Sequence, residues 1–421
     1  MRSAVTAIAA TLLGSGAVAA SDSGTMDSSL LIYSETGRVK AAEGVFDLSR
    51  PLGDHRTIGL RLTLDALTGA SPNGATPSSR VQTFTSPSGG GSYVVKAGEV
   101  PLDDTFSDIR GALDASLKES LDRITFLNVG GHLSFERDYA SIGVNSGVVR
   151  EFNRRNTSLG VSAAYAHDIV SPYGGAPVPL ASMPQPNADD GEEEEGGEAG
   201  PGRGKNIVDV VVGLTQVVDR NTIARLDYSL SRSSGYLNDP YKILSVVQDQ
   251  NSAEPGEPAD YVYEARPDTR YKQALFAEAR RYIAGSVLDL SYRYFWDDWG
   301  IRSHTADVFL RLPLNGSHAI EPHFRWYHQA QANFYETYLI DGQSLPNYAS
   351  ADIRLAAFDA MTCGLKYSLP VAAGTHLSFT GEYYVQMGKR GPPDAFGVLR
   401  EYDLFPRLDV FMVRVGFAHG L

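Results

Sequence analysis

The chain has 421 residues, a formal net charge of -13 and a single cysteine, Cys363. The acidic balance argues against nucleic acid as a partner, and the lone cysteine excludes an internal disulfide framework. Beyond the first 20 residues no run approaches the ~18 apolar residues that a spanning helix needs, so any later crossing of a membrane must be made by strands.

Residues 1–20, "MRSAVTAIAATLLGSGAVAA", carry Arg2 and then an uncharged, small and apolar run ending in Ala17-Val18-Ala19. This pattern predicts a cleaved secretory signal peptide. Residues 21–54 are expected to form an N-terminal periplasmic segment or a first strand pair, and residues 55–421 an outer-membrane β-barrel. Strands are predicted near 55–67, 105–119, 124–138, 139–151, 156–169, 206–218 and 222–236. The series continues near 270–283, 287–297, 299–313, 318–331, 352–369, 376–388 and 404–417.

The reason is a period of two. In "NIVDVVVGLTQVVD" (206–219), Val208, Val210, Val212 and Leu214 alternate with Asp209, Val211, Gly213 and Thr215. After a tight turn, Ala224, Leu226, Tyr228 and Leu230 alternate with Arg225, Asp227, Ser229 and Ser231, which makes a hairpin. "LDLSYRYFWDDWGIRSHTADVFLRL" (288–312) repeats the pattern twice, and its first apolar face finishes in Tyr294 and Trp296, as an interfacial girdle would.

The other face carries Arg225, Asp227, Asp289, Arg293, Asp307, Arg311, Arg325, Lys366 and Glu382 within strands. Burying unpaired ions costs several kcal/mol each, so this face needs a wet lumen or open solvent. Connections are short at 219–221, 284–286, 315–317 and 370–374, and long at 67–104, 170–205, 237–269, 332–351 and 389–403. Short turns at one end and long loops at the other define the expected fold class: all-β, a transmembrane antiparallel β-barrel of about 14 to 16 strands, with short periplasmic turns and long extracellular loops. The segment 184–205 holds seven carboxylates against two basic residues and reads as a disordered acidic loop.

Several stretches go beyond periodicity: "LTGASPNGA" (67–75), "QTFTSPSG" (82–89), Pro101-Leu102 followed by "DDTFSDIRGAL" (103–113), "SFERDYASIG" (134–143), "NRRNTSL" (153–159), "GYLNDPYK" (235–242), "YRYFWDDWGIRSHT" (292–305) and "SADIRL" (350–355). Together they resemble the bacterial family catalogued as domain of unknown function 3570. The resemblance implies an outer-membrane barrel and no established activity.

Gly69, Pro72, Asn73 and Gly74 set a tight loop path that could fold into the lumen as a plug. Asp297, Asp298 and His304 share one hairpin tip, where an aspartate pairing with Arg302 would lock the turn; a metal site there is disfavoured because only one imidazole is present. No nucleophile elbow, zinc signature or phosphate loop occurs, so neither a cofactor nor enzymatic activity is expected. The predicted function is a pore or transport protein for small polar or charged solutes. The alternatives are a closed barrel serving a periplasmic or redox partner, and a barrel-borne hydrolase using His304 or His132. Expected partners are outer-membrane lipid, the insertion machinery and, for a closed barrel, a periplasmic protein.

Overall fold

The computed structural model describes residues 24–85, 92–172, 174–184, 202–393 and 395–421. The signal peptide expected over 1–20 and most of the acidic segment 184–205 lie outside the described residues.

The wall begins with β1 (Thr25–Glu35), β2 (Lys40–Leu52) and β3 (Arg56–Pro72). A loop hairpin follows, β4 (Gln82–Thr85) and β5 (Ser92–Val95). The wall resumes with β6 (Leu102–Ser120), β7 (Thr125–Phe135), β8 (Tyr139–Phe152), β9 (Thr157–Val170), β10 (Arg203–Asp219) and β11 (Thr222–Gly235). Two more loop strands, β12 (Ile243–Val247) and β13 (Pro258–Tyr263), precede β14 (Thr269–Ile283), β15 (Ser286–Asp297), β16 (Arg302–Pro313) and β17 (Ala319–Gln329). Short β18 (Leu339–Ile340) leads to β19 (Phe358–Ala372), β20 (Thr375–Gly388) and β21 (Leu408–Gly420).

Sixteen of these strands close into one antiparallel barrel. The seam is β1 against β21, running from Thr25 opposite Gly420 to Glu35 opposite Val410. The count falls at the upper end of the expected range because Thr25–Leu52 forms a hairpin inside the wall. Wall strands run from 11 to 19 residues, longer than the ~9–11 needed to cross a bilayer, so they project beyond it.

Alternation sets which face meets which solvent. On β11, Leu226, Tyr228 and Leu230 stand exposed outside, whereas Asp227, Ser231 and Ser233 are buried inside. The same exposed apolar column recurs from Leu30 and Ile32 on β1 to Phe411 and Val413 on β21, a continuous belt for lipid. Cys363 lies in this belt on β19, exposed, opposite Phe324 and Tyr383.

Both ends of the described chain meet at the short-turn end, where the Leu421 amide donates to the Gly24 carbonyl at 2.7 Å. At the other end three connections, 36–39, 136–138 and 298–301, are also tight. The described parts of the five long connections, together with the 298–301 turn, pack on one another as a cap with cores of its own. Ala75, Phe84, Tyr93, Met183, Ile243 and Tyr261 form one core, Leu244, Val246, Val262 and Leu339 a second, and Trp299, Phe334 and Leu355 a third. β13, β12 and β18 make a three-stranded sheet within the cap.

Candidate functional site

Between cap and wall lies a cavity of about 1370 Å³. Its roof contains Pro72, Asn73, Asp239, Lys242, Arg266 and Arg354, and its walls include Arg225, Asp227, Arg270, Lys272, Glu278 and Arg293. Six of the eight stretches singled out in the sequence, dispersed from 67 to 355, contribute to this lining.

The roof is fixed by a buried ionic network. Arg266 reaches Glu264 at 2.7 Å and Asp352 at 2.8 Å, and Arg354 binds Asp352 at 2.8 Å as well as Asp239. Ser350 donates to Glu264 at 2.5 Å, the Asp239 amide donates to Glu264, and the Lys242 ammonium donates to the Pro72 carbonyl. Burial pushes the Asp352 carboxyl up, but the Arg354 and Arg266 guanidiniums prevail and hold it well below the usual carboxylate range. Burial raises the Glu264 carboxyl and lowers the Lys242 ammonium.

Of the plug candidates, Pro72 at the end of β3 and the following Asn73 and Gly74 belong to this roof, whereas Gly69 lies within the wall strand β3, paired with β6. Asn73 is buried, donates to the Tyr93 hydroxyl at 2.8 Å, accepts from the Ala75 amide at 2.8 Å, and receives the Ile243 amide on its carbonyl at 2.9 Å. Gly74 has φ of +100°, and a Cβ there would stand 2.5 Å from the Ile243 carbonyl oxygen. Gly69, at φ of +127°, passes equally close to the Arg38 carbonyl. Only glycine combines that backbone with that approach.

At the hairpin tip the aspartates have partners other than the expected Arg302. Asp297 accepts from Arg270 at 2.5 Å and from the Ile301 amide at 2.8 Å, and Asp298 accepts the Tyr271 amide at 2.9 Å. The reason is strand pairing: β14 lies beside β15 and brings Arg270 to Asp297, with its guanidinium 4.3 Å from the centre of the Trp299 ring. His304 points outward and bonds the Tyr292 hydroxyl at 2.6 Å. Among the described residues no three His, Cys, Asp or Glu side chains converge as a metal site.

Of the lumen candidates, Arg225, Asp227 and Arg293 line the cavity, with Arg225 and Asp227 paired at 2.7 Å. Asp307, Arg325 and Glu382 gather apart from it. Arg325 lies 2.6 Å from Asp307, and His323 bridges Asp307 at 3.2 Å and Glu382 at 2.6 Å. Asp289 pairs with Arg280 at 2.6 Å on the neighbouring strand. Lys366 sits on β19 opposite Glu321 and Thr380, and Arg311 is exposed near the turn end of β16. His132 turns its Nδ1 to Asp114 at 2.6 Å.

The residues the sequence reading left out are Lys242, Glu264, Arg266, Arg270, Asp352 and Arg354. All but Arg270 come from loops, where no periodicity marks a side chain as inward. "GYLNDPYK" and "SADIRL" held the available signal, since Asp239 of the first pairs with Arg354 of the second.

On the acidic side of the chamber, Glu136 occupies the tight turn between β7 and β8. Burial and the neighbouring Asp108 push its carboxyl up to about 7, against the pull of Arg110.

Solved structures similar to this chain include a ferric enterobactin receptor from Pseudomonas aeruginosa in complex with enterobactin, at 12% identity and TM-score 0.45, covering 93% of this chain and 60% of that one. The CymD monoaromatic hydrocarbon channel is similar at 7% identity and TM-score 0.41, covering 95% and 89%. OccK2 from Pseudomonas aeruginosa, in complex with glucuronate, is similar at 9% identity and TM-score 0.41, covering 95% and 98%. The chain spans 54% to 60% of the length of the enterobactin receptors it matches. No curated protein matches it. Residues 2–419 match the family described as protein of unknown function (DUF3570), and to that family the chain belongs.

Proposed function

We propose that this barrel sits in the bacterial outer membrane and passes small polar or charged solutes, using the chamber under the cap as its selective compartment, with no catalysis of its own. The observation that carries this reading is the convergence of six dispersed stretches on one cavity between cap and wall whose lining carries many charged side chains, among them Arg225, Asp227, Lys242, Arg270 and Arg293. Charged side chains of the lining favour polar or charged solutes, and the cap restricts the size of what enters.

The test is single-channel recording in planar bilayers together with solute swelling of proteoliposomes. Wild type is expected to give small, discrete conductance, and a variant with residues 236–268 replaced by a short Gly-Ser linker a larger one. Absence of conductance and swelling in both proteins would overturn the reading. The packed cores of the cap favour a second reading, a closed barrel that serves a periplasmic partner. Under that reading the wild type is silent and copurifies with a stoichiometric protein.

A further inference from the structure

The stretch "NRRNTSL" takes no part in the chamber. It lies at the opposite end of the barrel, where the turns 121–124, 153–156 and 220–221 follow one another around the rim. These turns are laced together: the Arg155 guanidinium donates to the Arg123 carbonyl at 2.8 Å, and the Val217 amide to the Asn156 carbonyl at 2.7 Å. The Tyr282 amide reaches the Asn221 carbonyl at 2.8 Å and extends the arc to β14.

Six arginines stand exposed along this arc: Arg123, Arg150, Arg154, Arg155, Arg220 and Arg281. The acids beside them offset part of this charge without matching it, and Asp122 and Asp219 lie within electrostatic reach of Arg150 and Arg281. Asp122 accepts the Ile124 and Thr125 amides at 2.8 Å each, Asp219 accepts the Asn221 amide at 2.7 Å, and buried Glu151 pairs with Arg155 at 3.2 Å. A chain with a net charge of -13 thus presents a locally basic quadrant at its periplasmic rim.

Parity says what this quadrant faces. Arg150 continues the outward column of Ile142, Val144 and Val148 on β8, and its guanidinium stacks over Phe152, 5.8 Å from the ring centre. Arg281 continues the outward column of Leu275 on β14 and precedes exposed Ile283. Both arginines therefore leave the barrel sideways at the lower border of the apolar belt, where headgroup phosphates lie. A protein approaching along the barrel axis would meet the turns but not these two side chains.

We propose that Arg150, Arg281 and the turn arginine Arg154 form a basic surface that binds the phosphate headgroups of anionic phospholipids in the periplasmic leaflet, with Arg150 and Arg281, four strands apart, each meeting a separate headgroup. The site rests on the barrel crossing the membrane and not on the transport reading. Guanidinium forks match phosphate oxygens, and the negative surface potential of an anionic leaflet attracts each basic residue close to it.

Native mass spectrometry of the full-length protein in detergent, titrated in parallel with phosphatidylglycerol and phosphatidylcholine of the same acyl chains, tests this. Wild type is expected to hold phosphatidylglycerol about tenfold more tightly, and the triple variant R150Q/R154Q/R281Q to lose the preference. Arg232, which leaves the same outer surface at the cap end, serves as control, and R232Q should behave as wild type. Heat-dependent gel migration verifies that each variant is a folded barrel. Equal binding of the two lipids by wild type, an undiminished preference in the triple variant, or an equal loss in R232Q would overturn the proposal. The first outcome is also the one expected if the quadrant docks an acidic protein.

Discussion

Asp352 shows how one carboxylate can hold a roof. It is almost fully buried between Arg266 and Arg354, and replacing it with Asn leaves two guanidiniums short of a counter-charge. Because the Arg354 side chain is half exposed, the cost should fall near the low end for a broken buried pair, about 3 kcal/mol, borne by the cap and not by the wall. Limited proteolysis should then nick Asp352→Asn within 236–268 while the heat-stable barrel band persists. Acid should act the same way. With its folded pKa depressed, Asp352 contributes stability that is complete above the ordinary carboxylate value near 4 and is lost as pH falls through the lower folded value, so protease protection should hold from about pH 5 to 8 and fail in strong acid. Asn73→Ala removes a buried side chain with two partners and should loosen the same segment by about 1–3 kcal/mol, read by the same nicking assay.

At the scale of the strand, neighbouring residues live in different solvents. Leu290 and Ser291 are adjacent on β15, yet Leu290 meets lipid and Ser291 faces Glu278 and Asp307 across the ladder. Leu290→Arg should destabilise the barrel by about 2–4 kcal/mol, whereas Ser291→Arg, meeting two carboxylates, should cost far less. Urea unfolding in vesicles, followed by tryptophan emission, measures both. This alternation is what made the wall legible in the sequence, most clearly on β10, β11 and β15. It is diluted on β1 and β2, where Ser28, Ala42 and Gly44 interrupt the outward column, which is why that hairpin remained an open alternative to a periplasmic segment. The cap was illegible for a different reason. Phe84, Leu244, Val247 and Phe334 are buried by partners far away in sequence, and such contacts have no period. Isolated turns such as "ASPNGA" were recognisable, but not what they would pack against.

The whole molecule is a barrel with two dissimilar ends, one folded into a roof and the other left as tight turns. Glu136 ties the chamber to the pH of the surroundings. With a pKa of about 7, it is mostly neutral at pH 6 and mostly charged at pH 8, so the chamber gains negative charge across that interval. Reversal potentials in a salt gradient should shift toward cation preference as pH rises from 6 to 8, and Glu136→Gln should flatten that shift. The lone thiol at Cys363 has a further consequence. Because it stands in the lipid belt, a nitroxide or bromine-quenchable fluorophore attached there reports immersion depth without any engineered site. A membrane-impermeant maleimide added to intact vesicles should leave it unlabelled, and unfolding should expose it, so the native sequence carries its own gauge of insertion.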